Sequence, residues 1–253
     1  MDKLSKELNN LYTNMDTKKL KLDSFRPLSN AESQNLKKVY DLDMTYNSNA
    51  IEGNTLTYSE TKLILEEGIT IHGKSMNEHL EVINHKEALT FIEELITLST
   101  DKITESDILN IHALILKSIN SKEAGKYRTQ PVGVRKSDGT IYHFVEPVLI
   151  KQHMEEFVRW LQRASLAHYK FVSIHPFIDG NGRTARLLMN LILMQNGFVP
   201  SVIRIEDRLE YIQSIEKAQA GESVDDFHKI VAKTIDKNID FYLETLQTNI
   251  KYI

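Results

Sequence analysis

The sequence predicts an all-α domain carrying a single β-hairpin. Three observations lead there. Apolar residues recur near a spacing of 3.6 along most of the 253 residues. Turn punctuation is sparse, with 10 Gly and 5 Pro. Only one stretch alternates as a strand does, Val132 to Phe144, folded about Asp138-Gly139.

The elements follow in order. Leu4, Leu8, Leu11 and Tyr12 trace a short amphipathic helix. Ser29 or Asn30 caps a second helix bearing Leu36, Val39, Tyr40 and Leu42, which Gly53 stops. Thr57-Tyr58-Ser59-Glu60 is a capping box ahead of a short helix that ends near Gly68. A long helix runs from about Met76 to Leu98, and Thr104-Glu105-Ser106-Asp107 opens one carrying Ile108, Ile111, Leu114 and Ile115. After the hairpin, helical spacing resumes near Pro147 and continues almost to the end. The last helix, from Ser223 to about Gln247, bears an apolar stripe (Phe227, Ile230, Ile235, Ile239) that serves a core or a dimer face. No repeat or linker interrupts the chain. The expected organisation is a helical extension over residues 1–45 and one main domain over residues 46–253, C-terminal helices included.

Composition excludes several functions. The chain has no Cys, which removes disulfides, thiol nucleophiles, iron–sulfur clusters and Cys-ligated zinc. A net charge of −4 lacks the basic excess that supplies most non-specific nucleic-acid affinity. No apolar run reaches bilayer length, and the first residues lack the apolar core of a secretory signal. Neither nucleic acid nor membrane is therefore expected as a partner, and a cytoplasmic location is expected.

The densest chemistry lies in His175-Pro176-Phe177-Ile178-Asp179-Gly180-Asn181-Gly182-Arg183-Thr184-Ala185-Arg186, just before an apolar helix. Two glycines bracketing Asn181 expose backbone N–H groups where the helix dipole adds positive charge, which makes an anion cradle. Arg183 and Arg186, three apart, lean over the same first turns and suit a polyphosphate. Asp179 is a carboxylate beside that cradle, suited to Mg²⁺ shared with phosphates. His175 can take a proton; its ordinary pKa of about 6.5 makes a rate that falls as pH drops through that value. The parts suggest phosphoryl or nucleotidyl transfer to a hydroxyl. Spacing alone equally allows a plain loop with surface salt bridges and a core histidine.

At every defined position this string resembles the Fic motif, His-x-Phe-x-Asp/Glu-Gly-Asn-Gly-Arg-x-x-Arg, through His175, Phe177, Asp179, Gly180, Asn181, Gly182, Arg183 and Arg186. Ala124-Gly125-Lys126-Tyr127-Arg128 and Leu166 to Phe171 are similar to the segments that precede the hairpin and the motif in that family. The resemblance covers about Tyr46 to Ala232. It implies a Fic-type helical domain and a protein adenylyltransferase, which moves AMP from ATP to a Ser, Thr or Tyr hydroxyl of a protein, itself included. The implied partners are ATP, a protein with an accessible hydroxyl and a second copy in a homodimer. His175 would deprotonate the hydroxyl, and Phe177 would anchor the core. Asp179 would hold Mg²⁺ or Mn²⁺. Gly180, Asn181 and Gly182 would form the phosphate-binding turn and Thr184 would also contact ATP, with Arg183 at the β-phosphate and Arg186 at the γ-phosphate. Tyr211 falls where relatives place an adenine-pocket tyrosine. Gly182, where members that transfer a whole phosphate carry Lys, favours AMP transfer.

Two more segments resemble family features. Ser48-Asn49-Ala50-Ile51-Glu52-Gly53 is similar to the inhibitory pattern Ser/Thr-x-x-x-Glu-Gly/Asn, in the class that carries it before the catalytic motif. Glu52 would occupy Arg186 and displace the γ-phosphate, with Ser48 orienting the helix end. A hundredfold brake needs only about 2.7 kcal/mol. The hairpin, through Val132, Gly133, Val134 and Arg135, resembles the flap that pairs with a target's backbone by strand addition. Two alternatives stay open: a de-AMPylase using the same site with Glu52 as a productive residue, and a nucleotide-sensing module without turnover.

Overall fold

Ten α-helices and one two-stranded sheet form the described part of the chain, residues 6–98, 102–161 and 164–248 of a computed structural model. Leu4 lies outside it. Helix α1 (Lys6–Asp23) is longer than the short helix expected, because Met15 and Leu22 continue the stripe begun by Leu8 at seven-residue steps. That stripe packs on the last helix, α10 (Asp225–Thr248). Lys18 meets Asp236 and Asp240 at 2.9 and 2.6 Å across the same seam.

Helices α2 (Asn30–Ile51), α3 (Tyr58–Glu67), α4 (Met76–Thr97) and α5 (Glu105–Ile115) each open with a reciprocal capping box, from Ser29, Thr57, Ser75 and Thr104. Each cap satisfies two otherwise orphaned N–H groups, worth about 1 kcal/mol. Gly68 ends α3 in the left-handed conformation, φ +66°. Helix α2 runs unbroken through residues 45 and 46, so the expected division falls inside it.

The hairpin comprises β1 (Gly133–Arg135) and β2 (Ile141–His143), antiparallel with Val134 opposite Tyr142. Its tip is tied down, as the Ser137 hydroxyl donates to Glu216 at 2.7 Å. Helices α6 (Ile150–Trp160) and α7 (Ala164–Ile174) follow, then α8 (Asn181–Gln195) and α9 (Arg208–Gln219).

Helix α8 is the axis of the fold. Every residue from Arg183 to Leu193 is buried, the mark of a helix surrounded on all sides. Leu188, Met189 and Ile192 face one core, shared with Phe171, Phe227 and Ile235. Leu187 and Leu191 face a second, shared with Leu89, Ile92 and Ile111. Burial on both faces fixes the N-terminus of α8 in space, and the candidate site is built there. No described helix is long and apolar enough to cross a membrane.

Candidate active site

Gly180 lets the chain turn into α8. Its φ is +76°, and a Cβ there would press on His112 and Ile115 at 3.2 to 3.3 Å. Asn181 then closes the turn on Phe177: its Oδ1 accepts from the Phe177 N–H at 3.0 Å, and its amide donates to the Phe177 carbonyl at 2.8 Å. Phe177 is fully buried and lies flat on the His112 ring, centroids 3.5 Å apart.

His112 was not singled out by the sequence. Its Nδ1 accepts from the Gly125 N–H at 3.0 Å, so Nε2 carries the proton and donates to the Asp179 carbonyl, also at 3.0 Å. Burial pushes its pKa down to about 4, which keeps the ring neutral. The imidazole thereby holds the Asp179 backbone from beneath. Above it the Asp179 carboxylate is 63% exposed, accepts from the Gly180 N–H at 2.6 Å and stands 3.5 Å from Arg183.

His175 sits at the end of α7 with φ +51°, uncommon for a residue other than glycine. Its ring stacks on Phe144 of the hairpin at 3.9 Å, and its Nδ1 faces the Val172 carbonyl at 3.4 Å. A proton on Nδ1, which that contact favours, leaves the lone pair on Nε2. Burial lowers the pKa to about 4. The fall in rate expected near pH 6.5 is thus moved down, and the ring is neutral throughout the physiological range.

Arg186 is buried and fully engaged. Nε donates to the Ser48 hydroxyl at 3.0 Å, Nη2 to the Ser48 carbonyl at 2.8 Å and to Glu52 Oε1 at 2.7 Å, and Nη1 to the Tyr211 hydroxyl at 3.4 Å. Burial by itself would lower its pKa; Glu52 and Tyr211 outweigh that and hold it above the ordinary value. The end of α2 is thus clamped onto the first turn of α8 by residues 134 positions apart. Gly182 makes room for the clamp: a Cβ there would collide with Glu52 Oε1 and come within 3.2 Å of Arg186 Nη1.

Arg183 is equally buried but less well satisfied. Glu81 of α4 lies 3.3 Å from its Nη1, yet Nε and Nη1 make no hydrogen bond. Glu81 also accepts from Asn54, just after the clamp, at 2.8 Å. Buried orphan N–H donors at a helix N-terminus suit an anionic ligand.

The site thus gathers His175, Asp179, Gly180, Gly182, Arg183, Arg186, Ser48 and Glu52 around one helix end. Two expected ATP contacts lie deeper. Thr184 is fully buried, and Tyr211 is 2% exposed, its hydroxyl 3.0 Å from His168. Both are buried here: Thr184 lies on the enclosed α8 itself, and Tyr211 packs against the His168 and Phe227 rings. The hairpin residues Gly133, Val134 and Arg135 are exposed and Val132 is half-buried, which leaves strand edges open. A Cβ at Gly133 would meet the Tyr142 carbonyl at 2.9 Å, so close strand pairing requires glycine there. For a metal, Asp179 is a single exposed carboxylate, and no group of three or more His, Asp or Glu converges among the described residues. One carboxylate beside a phosphate cradle still fits Mg²⁺, which takes its other ligands from water and substrate oxygens.

Residues 102–193 match the Fic/DOC family. A protein adenylyltransferase Fic of Nematostella vectensis is 40% identical over 240 residues, which are 90% of this chain and 55% of that protein. Protein adenylyltransferase fic-1 of Caenorhabditis elegans is 39% identical over 90% of this chain and 46% of its own length. The chain therefore spans about half the length of the curated relatives it matches. A solved fragment of Fic-1 from C. elegans superposes with a TM-score of 0.81 at 35% identity, covering 96% of this chain and 72% of that one. A Fic domain containing signaling protein from Bacteroides thetaiotaomicron gives 0.84 at 26% identity, covering 97% and 98%.

Proposed function

The chain belongs to the Fic/DOC family, and on that premise we propose an autoinhibited protein adenylyltransferase. It transfers AMP from ATP to a protein hydroxyl and releases diphosphate. The observation that carries the reading is the 2.7 Å pair of Glu52 and Arg186 at the anion-binding end of α8.

The proposed steps follow from the residues. His175 Nε2 takes the proton of the target hydroxyl. The hydroxyl oxygen bonds to the α-phosphorus of ATP, the bond from that phosphorus to the bridging oxygen breaks, and the electron pair leaves with diphosphate. Backbone N–H groups of Gly180 to Gly182, with the α8 dipole behind them, hold the phosphates. Arg183 takes the β-phosphate region and Arg186 the γ-phosphate. Asp179 would hold Mg²⁺, which supplies positive charge to the leaving diphosphate. The target main chain adds to the hairpin as a strand and brings its hydroxyl to His175.

Glu52 is the brake. While it neutralises Arg186, the γ-phosphate has no cation to meet, and the α-phosphorus sits out of line with the incoming hydroxyl. Residues 1–45 extend the catalytic domain, residues 46–253, through the continuous helix α2. A homodimer and ATP are the other partners in this reading.

The test incubates wild type, Glu52→Gly and His175→Ala with ATP and Mg²⁺ and reads intact mass. One or more AMP masses on Glu52→Gly, little on wild type and none on His175→Ala is the expected pattern. No adduct on Glu52→Gly, with or without added protein targets, overturns the reading.

A further inference from the structure

Arg128 lies in the segment between α5 and the hairpin and is 2% exposed. A buried guanidinium usually pairs with a carboxylate; this one is spent on main-chain carbonyls. Nε donates to the His175 carbonyl at 2.8 Å, Nη1 to the Gln130 carbonyl at 2.8 Å, and Nη2 to the Val145 carbonyl. Its own backbone N–H donates to the Pro176 carbonyl at 2.9 Å. One planar fork therefore joins three chain segments: the loop that carries the base, the chain entering β1 and the chain leaving β2.

The placement has two consequences. Gln130 and Val145 stand at the two roots of the hairpin, so the fork fixes where the hairpin springs from. The His175 carbonyl is drawn toward Nε, which supports the left-handed backbone of His175, φ +51°. The Phe144 ring on His175 closes the same unit from the other side. Three short strand residues on each arm cannot hold such a hairpin by themselves.

We propose that Arg128 is a positioning residue that fastens the hairpin to the His175 backbone, so that the strand edge offered to a target and the base keep a fixed distance. This rests on the adenylyl-transfer reading for its purpose but not for its geometry. A lysine cannot replace the fork, since a single ammonium lacks the rigid spread of donors that three divergent carbonyls require.

The experiment has two arms. The first needs no turnover: hydrogen exchange of wild type and Arg128→Lys, at equal fractions of folded protein. Backbone amides of residues 133–135, 141–144 and 175 should exchange at least tenfold faster in the variant, and those of α8 at the native rate. Unchanged exchange in the hairpin, or equal acceleration in α8, overturns the proposal. The second arm places Arg128→Lys in the Glu52→Gly protein. AMP transfer should fall at least tenfold while the dissociation constant of Mg²⁺·ATP stays within twofold. Undiminished transfer, or a parallel loss of ATP binding, overturns it. If Glu52→Gly with native Arg128 transfers nothing, the functional reading fails and the first arm alone decides the clamp. Where Arg128→Lys does not fold, Arg128→Gln, which keeps one amide donor without a buried charge, takes its place in both arms.

Discussion

Gly182→Ala should unseat Glu52 without removing its carboxylate. The new Cβ would stand where Glu52 Oε1 now sits, so the 2.7 Å pair with Arg186 cannot persist in its present form. The pair is intermediate in burial, with Arg186 4% and Glu52 37% exposed. Exposed pairs are worth about 0–1 kcal/mol and breaking buried ones costs about 3–5, so this one is taken at about 2 kcal/mol. In the opposite direction, Ala in place of Gly inside a helix gains about 0.5–1 kcal/mol. With Glu52 present the net loss is therefore about 1–1.5 kcal/mol, a fall in Tm of roughly 2–6 °C for a chain of this size. In a Glu52→Gly background only the end of the Arg186 side chain, 3.2 Å from the new Cβ, has to give, and the same substitution should be close to neutral. The assay is a double-mutant cycle by denaturant and thermal unfolding of the four proteins, with a coupling of about 2 kcal/mol expected. Additivity within about 0.5 kcal/mol refutes the reasoning, because it means that the carboxylate never occupied the space over Gly182.

Four other outcomes follow from the same geometry. His112, His168 and His175 are held neutral by burial, with pKa values of about 4, 3 and 4. The unfolded chain binds protons on them near pH 6.5 and the native state does not, so their stabilisation is complete above that pH and is lost as pH falls towards 4. At ~1.4 kcal/mol per unit the loss amounts to several kcal/mol; a stability unchanged between pH 7 and 4.5 contradicts the burial assigned to them. By the same sign, kcat/KM for AMP transfer by Glu52→Gly should show no acid limb from His175 above pH 5; an acid limb centred near pH 6.5 contradicts the burial assigned to that ring. Asp179→Asn should leave the unfolding free energy within about 0.5 kcal/mol of native, as expected for a side chain 63% exposed, yet make ATP affinity insensitive to Mg²⁺; a retained Mg²⁺ dependence in a calorimetric titration excludes Asp179 as the ligand. Phe177→Ala removes a fully buried ring stacked on His112 and should destabilise by about 3–5 kcal/mol, read by urea unfolding.

Local chemistry was open to reading in one dimension. The four capping boxes each lie within four residues, and the Asp-Gly turn lies between its own strands, so short-range rules found Thr57, Thr104 and the hairpin directly. Helix α1 was underestimated because Met15 and Leu22 continue its stripe across a highly charged stretch. That Tyr211 and Thr184 are buried could not be read from residue type, since burial depends on which helices pack around them. His112 and Arg128 carried no legible signal. Each acts through main-chain atoms of distant segments, His112 on Asp179 and Gly125, Arg128 on His175, Gln130 and Val145. Main-chain acceptors look alike at every position, so no spacing announces them.

The order of residues from His175 to Arg186 by itself brings an imidazole and a carboxylate up to the glycine turn that opens α8, with two arginines just inside it, because they follow closely along the chain. The same holds for the placing of Ser48 and Glu52 one helical turn apart at the end of α2. Whether Glu52 reaches Arg186 was decided by tertiary structure. It brings together groups 134 residues apart across two cores. Tertiary structure also decided the charge state of His175, since desolvation depends on what covers the ring, and the covering Phe144 comes from the hairpin.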